Sequence, residues 1–170
     1  VTEPAESSRS SETSTSPRII RASFDDLSPV DVYAISALRT DVFYLEQNCA
    51  EPEMDWRDLE PTAEHYFIRD AQDGNKIVAY LRVIDTKDEY AERYPLTIGR
   101  VVVAADRRGQ SLSSALLREA LEQHPGVGFI LHAQTHAKGV YAKAGFHEVG
   151  ETFMEAGIEH ITMVREAQVS

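Results

Sequence analysis

The sequence predicts one α/β domain, a mixed sheet with helices on both faces. The order of apolar patterns along the chain reads β, α, β, β, β, α, β, α, β, β. Its 170 residues suit one domain with a tail, and 42% of them are hydrophobic, enough for a core once the polar leading segment is set aside.

That leading segment, residues 1–17, has nine Ser or Thr and no aromatic residue. It buries too little apolar surface to offset its ordering entropy, so it is expected to be a tail, with the domain over 18–170. A short apolar run, 18–23, predicts a first strand. Ser28 as N-cap, Pro29 at the first helical position and Asp31 in the first turn then open a helix. Val32, Ile35, Leu38, Val42 and Leu45 recur at helical spacing and carry it to about Gln47. Residues 48–63 read as irregular and acidic. Strands follow over 64–71 and 76–85, joined at Asp73-Gly74-Asn75, a hairpin signal. The β-branched segment 97–104 predicts a buried strand. A polar turn over 105–110 leads to a helix over about 111–124, with Leu112, Leu116 and Ala120 on one face and Leu117 and Leu121 beside it; Pro125-Gly126 ends it. Segment 127–134 is another buried strand. A short helix over about 136–143 stops at Gly145, and 146–155 with 158–165 predict a closing hairpin around Ala156-Gly157.

Composition removes several classes of function. Twenty-eight Asp and Glu against 17 Lys and Arg give a net charge of −11, the wrong sign for a protein that tracks nucleic-acid phosphates. One cysteine, Cys49, cannot make an internal disulfide. No run of 18 apolar residues predicts a membrane span, and no apolar signal-peptide stretch opens the sequence, so a cytoplasmic location is expected.

Two places carry chemistry. Between strand 97–104 and the next helix lies Asp106-Arg107-Arg108-Gly109-Gln110-Ser111-Leu112-Ser113-Ser114. Free backbone N–H groups at a helix start, with arginines beside them, form a site for phosphates; an ordinary capped helix with solvated arginines is the plainer reading. The second place is His132 to Ala137 followed by Tyr141 to Phe146. A tyrosine after a buried strand is usually packing. His132 and His136 lack the further ligands of a metal site, and no metal is expected.

These segments together resemble the GNAT superfamily of acetyl-CoA-dependent N-acetyltransferases. The family pattern sets Arg or Gln, two residues, Gly, one residue, and Gly or Ala between a strand and a helix; Arg108, Ser111 and Ser113 occupy those places. Gln134, Ala137 and the run Tyr141 to Phe146 match its Asn, Ala and Tyr-x-x-x-Gly-Phe positions. The chain is most similar to the ElaA-like branch, through Leu38-Arg39, Val42-Phe43, Glu46-Gln47, Asp55, His65, Gly157-Ile158, His160-Ile161 and Met163. The likeness covers about 19–166. It implies a GNAT-like α/β domain with a mixed, mostly antiparallel central sheet of about seven strands. It also implies transfer of an acetyl group from acetyl-CoA to a primary amine, on a small molecule or a protein, by direct attack in a ternary complex. Neither a metal, a nucleic acid nor a membrane enters that chemistry, and a homodimer is common in the family.

Carried over residue by residue, the resemblance places acetyl-CoA against Val101, Val102, Val103, Arg108, Gly109, Gln110, Ser111, Leu112, Ser113, Ser114, Gln134, Ala137 and Tyr141. A backbone N–H of the 101–103 stretch is the expected oxyanion donor, and Tyr141 the expected acid for the leaving thiolate. Glu46 is the acceptor-side candidate. The acidic loop 51–60 either attracts a cationic amine or is solvated surface. Trp56 is either a rim aromatic or a core anchor, and Cys49 a small filler. Ser at both glycine-type positions departs from the family pattern. It leaves three alternatives to normal acetyl-CoA use: retained but weaker cofactor binding, an altered or lost cofactor preference, and a degenerate GNAT-fold module that binds acyl-CoA or a protein partner. The Arg-x-x-Val-Phe run of the first helix is also similar to acyl-homoserine-lactone synthases, whose acceptor differs.

Overall fold

The computed structural model describes residues 16–168. The Ser/Thr-rich tail expected over 1–17 lies, apart from Ser16 and Pro17, outside the described residues.

Seven strands form one sheet: β1 Ile19–Ala22, β2 Glu64–Arg69, β3 Ile77–Asp85, β4 Leu96–Val103, β5 Phe129–Gln134, β6 His147–Glu155 and β7 Ile158–Arg165. Their spatial order is β1-β2-β3-β4-β5-β7-β6. Every neighbouring pair is antiparallel except β4 with β5. Helices α1 (Pro29–Arg39), α2 (Leu112–Glu122) and α3 (Lys138–Lys143) cover the two faces. On one face Leu112, Leu116, Leu117 and Ala120 of α2 pack with Tyr66, Leu81, Leu131 and Met163. On the other, Ala34, Ile35 and Leu38 of α1 pack with Phe67, Tyr80 and Val102. The expected α/β architecture and strand count are those observed.

The opening of α1 follows its sequence signals. The Ser28 hydroxyl accepts from the Asp31 N–H at 3.1 Å, and the Asp31 carboxylate accepts from the Ser28 N–H at 3.0 Å. Asp31 is also ion-paired to Arg69 of β2, which pins the helix to the sheet. Beyond Arg39 the winding changes. Thr40–Glu46 is π-helical, and the Gln47 N–H reaches back to the Val42 carbonyl. This wider winding corrects the predicted apolar stripe. Val42 stays in the core, but Leu45 is rotated off the face and exposed.

The β4–β5 pair defines the centre of the molecule. Their ladder holds only Leu96 with Phe129 and Thr97 with Ile130. Farther along β4, Tyr80 pairs with Val102 but Arg82 pairs with Gly99, so two β4 residues, Arg100 and Val101, oppose Leu81 alone. Arg100 sits at φ 55° in this bulge. A bulge sharpens local twist and bends its strand. The result is a wedge between two strands whose backbones no longer satisfy each other.

Candidate active site

The wedge opens into a cavity of about 550 Å³, within the range of small-molecule sites. Ile98, Gly99, Arg100 and Val101 line it from β4, Leu131, His132 and Gln134 from β5, and Ala137 and Tyr141 from the β5–α3 segment. Val101 faces it, whereas the Val102 side chain packs under α1 and Val103 joins the core beneath α2. Only the backbones of Val102 and Val103 could therefore serve a reacting group.

Tyr141 of α3 is on the cavity wall. It is 9% exposed, lines the cavity, and burial pushes its phenol up to about 12. Among the described residues its hydroxyl makes no hydrogen bond, and the ring rests edge-on to Phe146. Gly145 turns the chain at φ 90°, a left-handed conformation that suits glycine, and brings Phe146 back onto the tyrosine. Gln134 and Gln47 exchange hydrogen bonds of 2.9 and 3.3 Å across the cavity, tying β5 to the end of the π segment.

The candidate phosphate loop runs from Arg108 to Ser114. Among the described residues, none of the backbone N–H groups of residues 109–114 donates to a protein acceptor; the first helical bond runs from Ala115 to Ser111. Gly109 has φ 78° and Ser111 φ 58°, so both turn in the left-handed region before α2 begins. The loop thus presents a row of unpaired amides at the positive end of an 11-residue helix, an arrangement that fits a diphosphate. Ser111 adopts the strained conformation without a side-chain cap bond in return. A non-glycine residue there costs about 1–2 kcal/mol. Ser111→Gly is therefore expected to leave acetyl-CoA affinity unchanged or tighter and to stabilise the fold by up to about 1 kcal/mol after glycine's own entropy. Isothermal titration with a thermal melt checks this; a loss of affinity of about tenfold would instead assign the Ser111 hydroxyl to the phosphates.

Glu46 lies elsewhere than expected. It does not line the cavity; its carboxylate receives both terminal nitrogens of Arg108, at 2.6 and 2.8 Å, and Arg108 holds it below its ordinary carboxylate range. The pair bridges the π segment and the phosphate loop in a partly exposed position, where such a contact is worth about 0–1 kcal/mol.

The acidic loop is also corrected. Its acids do not form an open anionic cover, because three of them neutralise three arginines. Asp58 accepts from Arg39 at 2.8 Å and from Arg82 at 2.9 Å. Asp55 accepts from Arg82 at 2.7 and 2.8 Å and from Arg100 at 3.2 Å, and Glu53 contacts Arg39 and Arg100. Arg39 and Arg82 are only 1% and 2% exposed. Despite burial, which opposes the charged form, arginine neighbours hold Asp55 and Asp58 well below their ordinary values. His65 donates through Nε2 to the Asp58 carbonyl, so Nδ1 is left to accept from the Tyr80 hydroxyl at 2.8 Å. Trp56, at φ 64° and 81% exposed, follows Asp55 and precedes Arg57 of the cavity wall in the chain and anchors no core. Cys49 is half-buried on the cavity wall.

Sequence reasoning named His132 and His160 separately but did not group them with Glu155 on the same wall. Glu155 Oε2 lies 3.6 Å from His132 Nδ1 and 4.0 Å from His160 Nε2. The buried strand over 127–134 and the turn at Ala156-Gly157 were legible, but the pairing of β5 and β6 with β7 that brings these groups together was not. Among the described residues no group of three or more His, Cys, Asp or Glu has a metal-binding arrangement.

An open β4–β5 wedge lined by a buried tyrosine, with an amide-bearing loop at the helix start that follows β4, is the arrangement of an acyl-transfer site of the GNAT type. The family model described as Acetyltransferase (GNAT) domain matches residues 33–167, and the chain belongs to that family. It is 34% identical to Protein ElaA of Escherichia coli over 145 residues, covering 83% of this chain and 91% of that protein. The crystal structure of Escherichia coli ElaA superposes with a TM-score of 0.78 at 32% identity, over 88% of this chain and 99% of that one. An acyl-CoA N-acyltransferase from Pseudomonas aeruginosa gives a TM-score of 0.76 at 33% identity, with coverage of 88% and 99%. The chain is thus an ElaA-like GNAT protein, of an enzyme class that moves an acyl group from acyl-CoA to an amine. Among the described residues no helix is long and apolar enough to cross a membrane.

Proposed function

We propose that the protein transfers an acetyl group from acetyl-CoA to a primary amine, on a small molecule or a protein, by direct attack with both substrates bound. The observation that carries this reading is the wedge beyond Thr97 and Ile130, whose cavity is lined by Val101 of β4 and by Gln134, Ala137 and Tyr141. At the end of β4, outside that cavity, the amides of residues 109–114 and the Arg108 guanidinium hold the diphosphate of acetyl-CoA. The thioester lies along β4, where a backbone N–H of the 101–103 stretch faces the carbonyl oxygen as it gains charge. Tyr141 stands at the sulfur and donates to the departing thiolate. Gln134 and Ala137 form the β5 side of the channel.

The amine must arrive neutral. A lysine-like amine near pKa 10.4 lies about 4.6 kcal/mol from its neutral form at pH 7, so the site must take a proton from it. A homodimer, expected from the family resemblance, and a cytoplasmic location, expected from hydropathy, accompany this reading.

Calorimetric titration with acetyl-CoA, followed by thiol release with a panel of primary amines, tests the proposal. Micromolar binding with amine-dependent thiol release is the expected result. No binding at millimolar acetyl-CoA would overturn it, and binding without release across a broad panel would favour a binding module on the same fold. Glu46→Gln separates two roles for that residue. With its carboxylate committed to Arg108, the substitution is expected to tighten acetyl-CoA binding up to about fivefold and leave turnover within about twofold. Turnover reduced about 100-fold at unchanged affinity would restore Glu46 to the acceptor side.

A further inference from the structure

We infer that the acceptor is a cationic primary amine without a neighbouring carboxylate, docked between Glu155 and His160, and that His160 Nε2 takes its proton. This rests on the acetyltransferase reading above.

The charge on the cavity wall supports the class of acceptor. Arg39, Arg82 and Arg100 are matched by Glu53, Asp55 and Asp58, so the arginine cluster offers no spare positive charge for a carboxylate. Lys87 and Arg57 share Glu60. The other wall acids, Glu51, Asp88 and Glu155, have no Lys or Arg partner among the described residues. Glu155 is the one that stands beside two imidazoles.

The geometry supports the site. His160 Nδ1 lies 2.8 Å from the Ile158 carbonyl, which only accepts, so Nδ1 carries the hydrogen and Nε2 of the neutral ring is an acceptor. Nε2 and Glu155 Oε2 are 4.0 Å apart, too far to bond each other. A nitrogen between them reaches both at about 2.9 Å. Phe153 fixes both rings, stacked at 6.0 Å on His160 and edge-on at 4.9 Å to His132. The charged or titratable groups facing His160 are Glu155 from β6, His132 from β5, Arg100 from the β4 bulge and Tyr141 from α3. His160 side-chain exposure is 10%, whereas His132 is 46% exposed and leads outward to solvent.

In the reaction the ammonium gives one proton to His160 Nε2, and the imidazolium is stabilised by Glu155. The neutral nitrogen forms a C–N bond to the thioester carbon, and the C–S bond breaks. The nitrogen's second proton and the one held on His160 leave to solvent past His132, and the thiolate departs hydrogen-bonded to the Tyr141 hydroxyl and takes its proton from solvent.

Thiol release with acetyl-CoA is compared for n-butylamine and 4-aminobutanoate, two amines of one chain length, between about pH 6 and 9. The expected preference is at least about tenfold for n-butylamine. His160→Gln is expected to lower kcat/KM about 100-fold at pH 7. Its rate should then climb about tenfold per pH unit, because the amine's own ionisation replaces the lost acceptor. Glu155→Gln, at a half-exposed position where the fold is not at stake, should raise KM for n-butylamine about tenfold. In parallel, imidazole resonances of the acetyl-CoA-saturated protein are followed by NMR as n-butylamine is added, with His160 expected to shift and 4-aminobutanoate to leave it unmoved. Loss of acetyl-CoA binding in the wild type would defeat the parent reading and this one together. Retained binding with an unshifted His160 would defeat this inference alone, as would a His160→Gln profile matching the wild type.

Discussion

Asp58→Ala is expected to destabilise the protein by about 3–5 kcal/mol, seen as a lower urea midpoint at pH 7. The size comes from what stays behind rather than from the bonds removed. One carboxylate oxygen serves the Nη1 atoms of both Arg39 and Arg82, and both guanidiniums are almost wholly buried. Truncation leaves two cations with one carboxylate partner fewer in a region shielded from water. Asp58→Asn keeps an acceptor oxygen and should lose less. The pH dependence has a definite sign. Asp58 and Asp55 both titrate lower in the folded state than in the unfolded chain. Their contribution is complete above the unfolded carboxylate value of about 3.9 and is lost as pH falls through the folded values. The wild type should therefore lose stability steeply below about pH 4, and the Ala variant, already without Asp58, should show a shallower slope. Equal slopes would mean the network contributes little.

This network shows where sequence reading stops. Arg39, Asp55 and His65 stood out as matching positions, but their common purpose was invisible, because they come from a helix, a loop and a strand that meet only in the fold. Local signals carried well. The Ser28 capping box, the Asp73-Gly74 turn and the Ala156-Gly157 hairpin are each set by a few adjacent residues, and each appears as expected. The polar turn into α2 was legible for the same reason. The π winding after Arg39 was not. An apolar repeat of three and four does not distinguish the two helix types over a single turn, and Leu45 was misplaced as a result. The acidic loop misled in another way. Composition counts charges but not their partners, and its arginine partners lie far off in the chain, on α1, β3 and β4. The buried position of Tyr141 on a short helix followed from its motif, and the wedge it lines follows from the β4 bulge and the short β4–β5 ladder.

Tyr141→Phe is expected to lower kcat by about 100-fold with acetyl-CoA affinity within about twofold, measured by thiol release and calorimetry. The substitution removes one oxygen and leaves the ring, so the contact with Phe146 and the cavity wall are kept. Nothing else in the described structure depends on that hydroxyl, which has no hydrogen-bond partner there to lose. Burial, holding the phenol at about 12, keeps it protonated throughout the working range, so its donor is always present. The same shift limits what it does. A thiolate with an ordinary pKa near 8.5 is a much weaker base than the phenolate, and complete proton transfer would cost about 5 kcal/mol. Donation of a hydrogen bond to sulfur as negative charge develops is the cheaper course, and it becomes full transfer only to the extent that the same dry wall also raises the thiolate. The loss in Tyr141→Phe should accordingly be nearly constant from about pH 6 to 9, since no titration of Tyr141 falls in that window. A loss that changed with pH there would assign the proton to another group, and unaltered turnover would remove Tyr141 from the chemical step.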